Sequence, residues 1–327
     1  MKILNKIFDK FKGKKILVIG DIMLDKYVWG EVSRISPEAP IQIVDVKKET
    51  YVEGGAGNAA KNISFLGGKA FLIGTIGNDN YGKILMTHLK NSRIETKGVI
   101  IHNKKTIVKE RVLAFNQQLL RIDHEDKEDI DYNTENKIFN HVKKLIRNID
   151  AVIISDYAKG LITKNLSKEI IELCNKNNKI IIIDPRPQHT SYYKNATFVT
   201  PNHHEASTMT KIDLIDESDN NRLKLIGTRL LQELNSNILI TRGKYGMSLF
   251  EKNGTITNLP TVAKEVVDVS GAGDTAIATF TLALVSGADL KEAMDIANHA
   301  SGIVITKVGT ATTNINEIKR SLENHES

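Results

Sequence analysis

Lys15-Ile16-Leu17-Val18-Ile19-Gly20, followed at once by Asp21, is a short apolar run closed by a glycine and a carboxylate. A continuous apolar run of this length, without polar alternation, reads as a strand buried on both faces, as in a parallel sheet. Outward from it the pattern repeats. Gly57–Leu66 carries Ala59, Ala60, Ile63 and Leu66 at helical spacing and stops at Gly67-Gly68. Ala70–Thr75 is strand-like and Tyr81–Lys90 helical. Ala151–Ser155 and Lys179–Asp184 are apolar strands flanking a helical Thr163–Asn175. Thr197–Thr200 and Ile238–Thr241 are two more, with the amphipathic Asn221–Leu234 between them. Strand–helix–strand repetition predicts an α/β fold, a mainly parallel sheet with helices on both faces.

Two segments break the alternation. Tyr27–Val46 is strand-like but polar, with Pro37 and Pro40, and Thr106–Asp123 alternates as TIVKERVLAFNQQLLRID. Both read as antiparallel strands outside the main sheet, a small β lid spanning roughly residues 22–50 and 103–123. Asp123–Asn136 reads as a connecting loop. No linker or repeat divides the chain, so residues 1–327 are expected to form a single domain.

The 327 residues, 41% hydrophobic and 26% charged, have an ordinary globular composition with ample core. The net charge of +6 is scattered, without the aromatic-interleaved basic stripe of a nucleic-acid binder, and it suits anionic substrates. A single cysteine, Cys174, excludes an intramolecular disulfide and reads as a buried structural thiol. Met1–Lys15 lacks the apolar core of a signal peptide, and no apolar run approaches a membrane span, so a cytoplasmic location is expected.

Val269-Ser270-Gly271-Ala272-Gly273-Asp274-Thr275 runs into the apolar Ala276–Val285. Glycines at the mouth of a buried helix let backbone N–H groups surround a transferring phosphoryl group, with Asp274 as base for the attacking hydroxyl. Read alone, the same residues also make a tight turn with Asp274 as an N-cap. Glu53-Gly54-Gly55-Ala56-Gly57-Asn58 opens a helix and suits close approach to a polyhydroxylated ligand, or a plain loop-to-helix turn. It lacks the Lys-Ser/Thr of a Walker loop. After the first strand stand Asp21 and Asp25 in place of a dinucleotide fingerprint, at the strand end where open sheets bind ligands. Adjacent His203 and His204 share no helix face and make a poor transition-metal pair, whereas Asn202 and Glu205 share one and offer oxygen ligands suited to Mg²⁺. Thr241-Arg242-Gly243-Lys244-Tyr245-Gly246 follows a strand, as a backbone rest for a nucleotide or a hairpin turn.

This ordered set resembles the ribokinase-type, or PfkB, carbohydrate kinases over essentially the whole chain. Gly54-Gly55 is similar to their N-terminal signature, Asp268–Asp274 to their C-terminal one, and Asn202-x-x-Glu205 to their magnesium-associated motif. Gly20–Tyr27, Ser33–Pro40, Gln117–Arg121 and Ser155–Gly160 resemble more narrowly the D-glycero-β-D-manno-heptose-7-phosphate kinases, which phosphorylate O1 in lipopolysaccharide core synthesis. The resemblance implies Asp274 as base and Gly271, Ala272 and Gly273 as anion hole. It implies sugar contacts from Asp21, Asp25, Gly54, Gly55 and Asn58. Mg²⁺ would be organised by Asn202 and Glu205, and ATP lined by Asn202, Thr241, Gly243, Gly246 and Asn298. It also implies a monovalent cation such as K⁺, with Val308–Thr310 contributing, and a homodimer formed through the lid strands.

Two departures stand out. Many heptose kinases are fused to an adenylyltransferase, whereas this sequence ends soon after the kinase region, so a separate adenylyltransferase is expected. Asp184-Pro185-Arg186 stands where those kinases tend to carry Asp-Pro-Lys. Candidates for the 7-phosphate are Arg34, Lys109, Arg111, Arg121, Lys159 and Arg186. The alternatives are a kinase for another sugar or nucleoside, and a binding regulator without catalysis. The missing fingerprint argues against a nicotinamide dehydrogenase.

Overall fold

The computed structural model describes residues 2–326 apart from 116, 215, 217 and 264. In chain order its elements begin α1 (Lys2–Asp9), β1 (Lys15–Gly20), β2 (Ile22–Ile35), β3 (Gln42–Gly55), α2 (Ala56–Phe65), β4 (Lys69–Gly77), α3 (Asn80–Asn91), β5 (Glu95–His102), β6 (Ile107–Ala114), β7 (Gln117–His124) and α4 (Tyr132–Leu145). They continue β8 (Ala151–Ser155), α5 (Lys164–Lys176), β9 (Ile180–Asp184), β10 (Phe198–Val199), α6 (His203–Thr210), α7 (Asn220–Leu234) and β11 (Asn237–Thr241). The last are β12 (Met247–Phe250), β13 (Ile256–Leu259), α8 (Ala272–Val285), α9 (Leu290–Val304) and α10 (Ile315–Glu326).

Nine strands form the main sheet in the order β13-β12-β11-β10-β9-β8-β1-β4-β5. It is parallel from β5 to β11, and among the described residues only the β11–β12 and β12–β13 pairings are antiparallel. The two faces follow from period-two alternation: Ile16 and Val18 of β1 point to one core with α1, α2, α3, α8, α9 and α10. Leu17 and Ile19 point to the other with α4, α5, α6 and α7. Cys174 is buried in that second core, and burial pushes its thiol up to about 12. Among the described residues no helix is long and apolar enough to cross a membrane.

A four-stranded second sheet, β3-β2-β6-β7, is the lid. The chain leaves the main sheet at Gly20–Asp21 and returns at Gly54–Gly55. There Gly55 takes φ +58 and a Cβ would stand 2.4 Å from the Asp21 carbonyl oxygen, so glycine is required. The Ala56 N–H, one residue on, donates to that same oxygen at 3.0 Å. The inner half of β2, Ile22–Val28, is buried, its outer part half-buried to exposed, and all of β7 exposed. Each lid hairpin is antiparallel as expected, but the seam joining them, β2 to β6, is parallel. The expected loop Asp123–Asn136 is shorter than read. α4 begins at Tyr132, capped by Asp131 accepting from the Thr134 N–H.

Candidate active site

The carboxyl ends of β1, β8, β9, β10 and β11 converge on the start of α8, where a cavity of about 180 Å³ is lined by Tyr157, Asp184, Glu205, Gly271, Gly273 and Asp274, among others. This is where ligands of open α/β sheets bind. α8 is apolar nearly all round, a core helix, which puts its N-terminus inside the molecule. Gly271 is its N-cap in the left-handed region, φ +79, and Asp274 sits in the first turn and is not the cap itself. The Ala272 N–H is spent on the Val269 carbonyl at 3.2 Å. Ala272, expected in the anion hole, therefore contributes little there, while Gly271 and Gly273 line the cavity. A Cβ on Gly273 would meet nothing within 4 Å, so that glycine borders open space.

Asp274 is only 4% exposed. Its Oδ2 accepts from Asn58 Nδ2 at 2.8 Å and its Oδ1 from the Tyr157 hydroxyl at 3.1 Å. One turn along, Thr275 donates to Asn62 Oδ1 at 2.9 Å, so α2 and α8 share a buried polar seam. Burial pushes the Asp274 carboxyl up to about 6, against the lowering effect of Asn58 and Tyr157. A base in this position works only when ionised. Turnover is therefore expected to rise with pH through about 6 and then level, measured as kcat/KM against pH. A profile flat from pH 5 to 8 contradicts the assignment.

The structure sorts the expected sugar ligands. Asp25 is buried and near enough to Asp274 to help raise that carboxyl, with Oδ1 2.5 Å from Arg111 Nη1. Gly54 makes room for it, since a Cβ there would lie 2.6 Å from Asp25 Oδ2. Asp21 and Asn58 turn inward instead. Asp21 accepts from the N–H groups of Tyr157 (2.9 Å), Lys159 (3.1 Å) and Leu161 (3.2 Å), organising the loop after β8. Burial, then the nearby Asp156, pushes Asp21 up to about 6. The Asn58 amide is committed to Asp274. Both residues shape the site from behind, and neither offers a ligand its polar group.

Asn202 and Glu205 close a capping box on α6: Glu205 N–H to Asn202 Oδ1 and Asn202 N–H to Glu205 Oε2, each 2.9 Å. Glu205 Oε1 also meets Arg186 Nη1 at 3.0 Å. Asp184, at the end of β9, faces the same cavity. Burial first, then neighbouring carboxylates including Glu205 and Asp274, pushes Asp184 well above the ordinary carboxylate range. Burial also pushes Glu205 up. Carboxylates crowded in this way are a donor set that a divalent cation would relieve. Asp184 was missed by sequence reasoning, although its place at a strand's carboxyl end is the signal that finds it.

Beyond the Tyr157 ring lies a second cavity of about 430 Å³, bordered by Lys109, Arg121, Lys159 and Arg186. Three of these carry carboxylate partners: Arg121 with Asp123 at 2.9 Å, Arg186 with Glu205 at 3.0 Å, and Lys159 with Glu125. Lys109 has no ion pair among the described residues, and burial lowers its pKa. Arg111 is held by Asp25. Arg34 lies exposed on the outer half of β2, roughly 30 Å of extended strand from Asp25, and is not brought to the site.

Of the expected nucleotide residues, Thr241 lines the first cavity. Gly243 opens the turn between β11 and β12, and a Cβ on it would meet nothing within 4 Å. Gly246 has a structural reason, φ +84 with a Cβ 2.0 Å from the Leu259 carbonyl oxygen. Asn298 donates to the Pro260 carbonyl at 2.7 Å, so Gly246 and Asn298 abut the same segment. Val308–Thr310 is held near the glycine turn by the Gly309 N–H on Asp268 at 2.9 Å, and the buried Thr310 Oγ1 has no partner among the described residues.

Fold and site together define a carbohydrate kinase. The model of the pfkB family carbohydrate kinases matches residues 13–317, and the chain belongs to that family. It is 43% identical over 309 residues to the bifunctional protein HldE of Aliarcobacter butzleri (strain RM4018), which covers 94% of this chain and 64% of that protein. It is 41% identical over 308 residues to bifunctional protein HldE of Helicobacter pylori (strain J99), covering 93% and 65%. The chain thus spans about two thirds of the length of these curated relatives. Among solved structures, ribokinase of Arabidopsis thaliana, complexed with ribose and ATP, superposes with TM-score 0.75 at 18% identity, covering 95% of this chain and 99% of that one. Phosphofructokinase-2 of Escherichia coli, in complex with potassium, gives 0.78 at 17%, covering 96% and 100%. At such identities the shared property is the fold.

Proposed function

We propose that the chain transfers the γ-phosphoryl group of ATP to O1 of D-glycero-β-D-manno-heptose 7-phosphate, giving the 1,7-bisphosphate for lipopolysaccharide core synthesis. The observation that carries this reading is the placement of Asp274. It stands buried in a small cavity walled by glycines and carboxylates, and its hydrogen-bond partner Tyr157 also borders a larger cavity lined by four cationic side chains. Resemblance of the lid and Ser155–Gly160 segments to heptose-7-phosphate kinases supports the choice of sugar, as does identity to the HldE proteins.

In this reading Asp274 accepts the O1 proton as the phosphorus–oxygen bond forms, because a carboxylate is too weak to ionise a sugar hydroxyl beforehand. Asn58 and Tyr157 keep one oxygen each engaged and so fix the direction of the remaining lone pairs. The Gly271 and Gly273 backbone receives the equatorial oxygens of the transferring group, at the positive end of α8. Asp25 meets sugar hydroxyls, and Lys109 with its neighbours meets the 7-phosphate. Thr241, Gly243 and Asn298 border the nucleotide. Mg²⁺ would be held by Asp184 and Glu205 with Asn202 beside them, and would neutralise charge building up on the phosphates. A monovalent cation such as K⁺ would sit at Val308–Thr310. The chain acts as one kinase domain, and the exposed apolar lid residues Phe115, Leu119, Leu120 and Ile122 suit pairing of two copies. An adenylyltransferase acting later in the same route is the partner implied.

An acceptor panel tests the substrate. ADP release should depend on added sugar and be at least tenfold greater in kcat/KM for heptose 7-phosphate than for heptose, ribose or fructose 6-phosphate. Equal rates with unphosphorylated sugars would remove the heptose-phosphate reading and leave a kinase of broader or different specificity.

A further inference from the structure

Tyr157 touches both cavities, and in the proposed reaction only its hydroxyl bond to Asp274 has a role. That hydroxyl donates to Asp274 Oδ1 at 3.1 Å, and Tyr157, with Arg186 and Glu205, borders both cavities. Arg186 lies with its guanidinium carbon 4.7 Å from the ring centroid, and Lys109 Nζ lies at 5.5 Å. Burial raises the phenol well above its ordinary 10, so it remains a donor.

The loop carrying Tyr157 is held firmly. Asp21 accepts its backbone N–H, and Ala158, at φ +53, donates to Asp156 Oδ1 at 2.7 Å. Asp156 Oδ2 in turn accepts from the Tyr193 hydroxyl at 2.7 Å, and the same hydroxyl receives the Arg186 N–H at 2.9 Å. Asp156 thus links the residue after Tyr157, through the Tyr193 hydroxyl, to the backbone of the arginine stacked on the Tyr157 ring.

Resting on the sugar-phosphate reading, we infer that Tyr157 is a positioning residue: it sets the Asp274 carboxylate and ties that setting to occupancy of the cationic cavity by the acceptor's anionic end. An anion drawn between Lys109 and Arg186 fixes two cations against the ring, and the ring's hydroxyl is the hydrogen bond that aims the base. The phosphate of the acceptor then contributes to turnover as well as to binding.

The test is Tyr157→Phe in the full chain, which keeps the ring and deletes one hydroxyl. Steady-state kinetics are read with heptose 7-phosphate and with unphosphorylated heptose, alongside thermal melting. Expected is a fall in kcat of about tenfold with the sugar phosphate, a change under twofold with the bare sugar, and an unchanged KM for ATP. Lys109→Met should raise the KM for the sugar phosphate about tenfold, and its effect on kcat/KM should be non-additive with Tyr157→Phe. Equal losses on both acceptors, no loss, or strict additivity would overturn the inference while leaving the sugar-phosphate reading intact. A wild-type enzyme that treats the two acceptors alike would remove that reading and the inference with it.

Discussion

Asp274→Asn is expected to lower kcat by about 1,000-fold while raising the melting temperature by a few degrees. Loss of turnover follows because an amide cannot accept the acceptor hydroxyl's proton. The gain in stability follows from the raised carboxyl, which burial holds at about 6 against an ordinary 3.8. The sign is fixed by which state binds more protons. Between pH 3.8 and 6 the folded chain holds a proton the unfolded chain has lost, so stability falls as pH rises through that window. Above it both states are ionised, and the buried charge destabilises the fold by about 3 kcal/mol, a penalty the neutral isostere removes. Circular dichroism melts at pH 8 with parallel ADP-release assays check both halves. A variant that is stable but active would dismiss Asp274 as base. One that is inactive but unstable would mean Asn58 and Tyr157 need a carboxylate as a structural partner.

Gly271 and Gly273 give a second, paired expectation. Gly271→Ala places an L-residue at φ +79 with a Cβ 2.7 Å from Asn58 Nδ2 and 3.3 Å from Thr310 Cγ2. The left-handed conformation alone costs about 1–2 kcal/mol. Asn58 is fully buried between Asn62 and Asp274 and has nowhere to swing, so the strain reaches the base. Gly271→Ala should therefore melt several degrees lower and lose about 100-fold in kcat. Gly273→Ala should melt at or above the wild-type temperature, because its Cβ meets nothing and alanine favours a helix. It should still lose about tenfold or more, because the methyl group enters the space assigned to the phosphoryl oxygens. Full activity in Gly273→Ala would remove the cradle from the account.

The α/β architecture was legible because β1, β8, β9 and β11 are continuous apolar runs, which only a sheet covered on both faces accommodates. The lid was legible as polar alternating strands, but its parallel β2–β6 seam was not, since alternation fixes faces and says nothing of partners. α4 began inside an expected loop because its first residues are polar, with Tyr132 exposed. In the site, Asp274 and its glycines carry their own signal through spacing. Asp21 and Asn58 look like ligands in sequence because a polar residue beside glycines serves a substrate or a scaffold equally well. Only their bonds, to three backbone amides and to Asp274, separate the two. Asp184 and Tyr157 lie in segments that sequence marks only by resemblance, and the convergence of β8 and β9 is what brings their side chains to the cavity.

The most direct test of the central claim is ³¹P NMR of the product formed from heptose 7-phosphate, ATP and Mg²⁺. Two phosphorus signals are expected on the sugar, the new one coupled to the anomeric proton, as O1 transfer requires. Phosphorylation at any other oxygen, or ATP hydrolysis with the sugar phosphate unchanged, would contradict that claim.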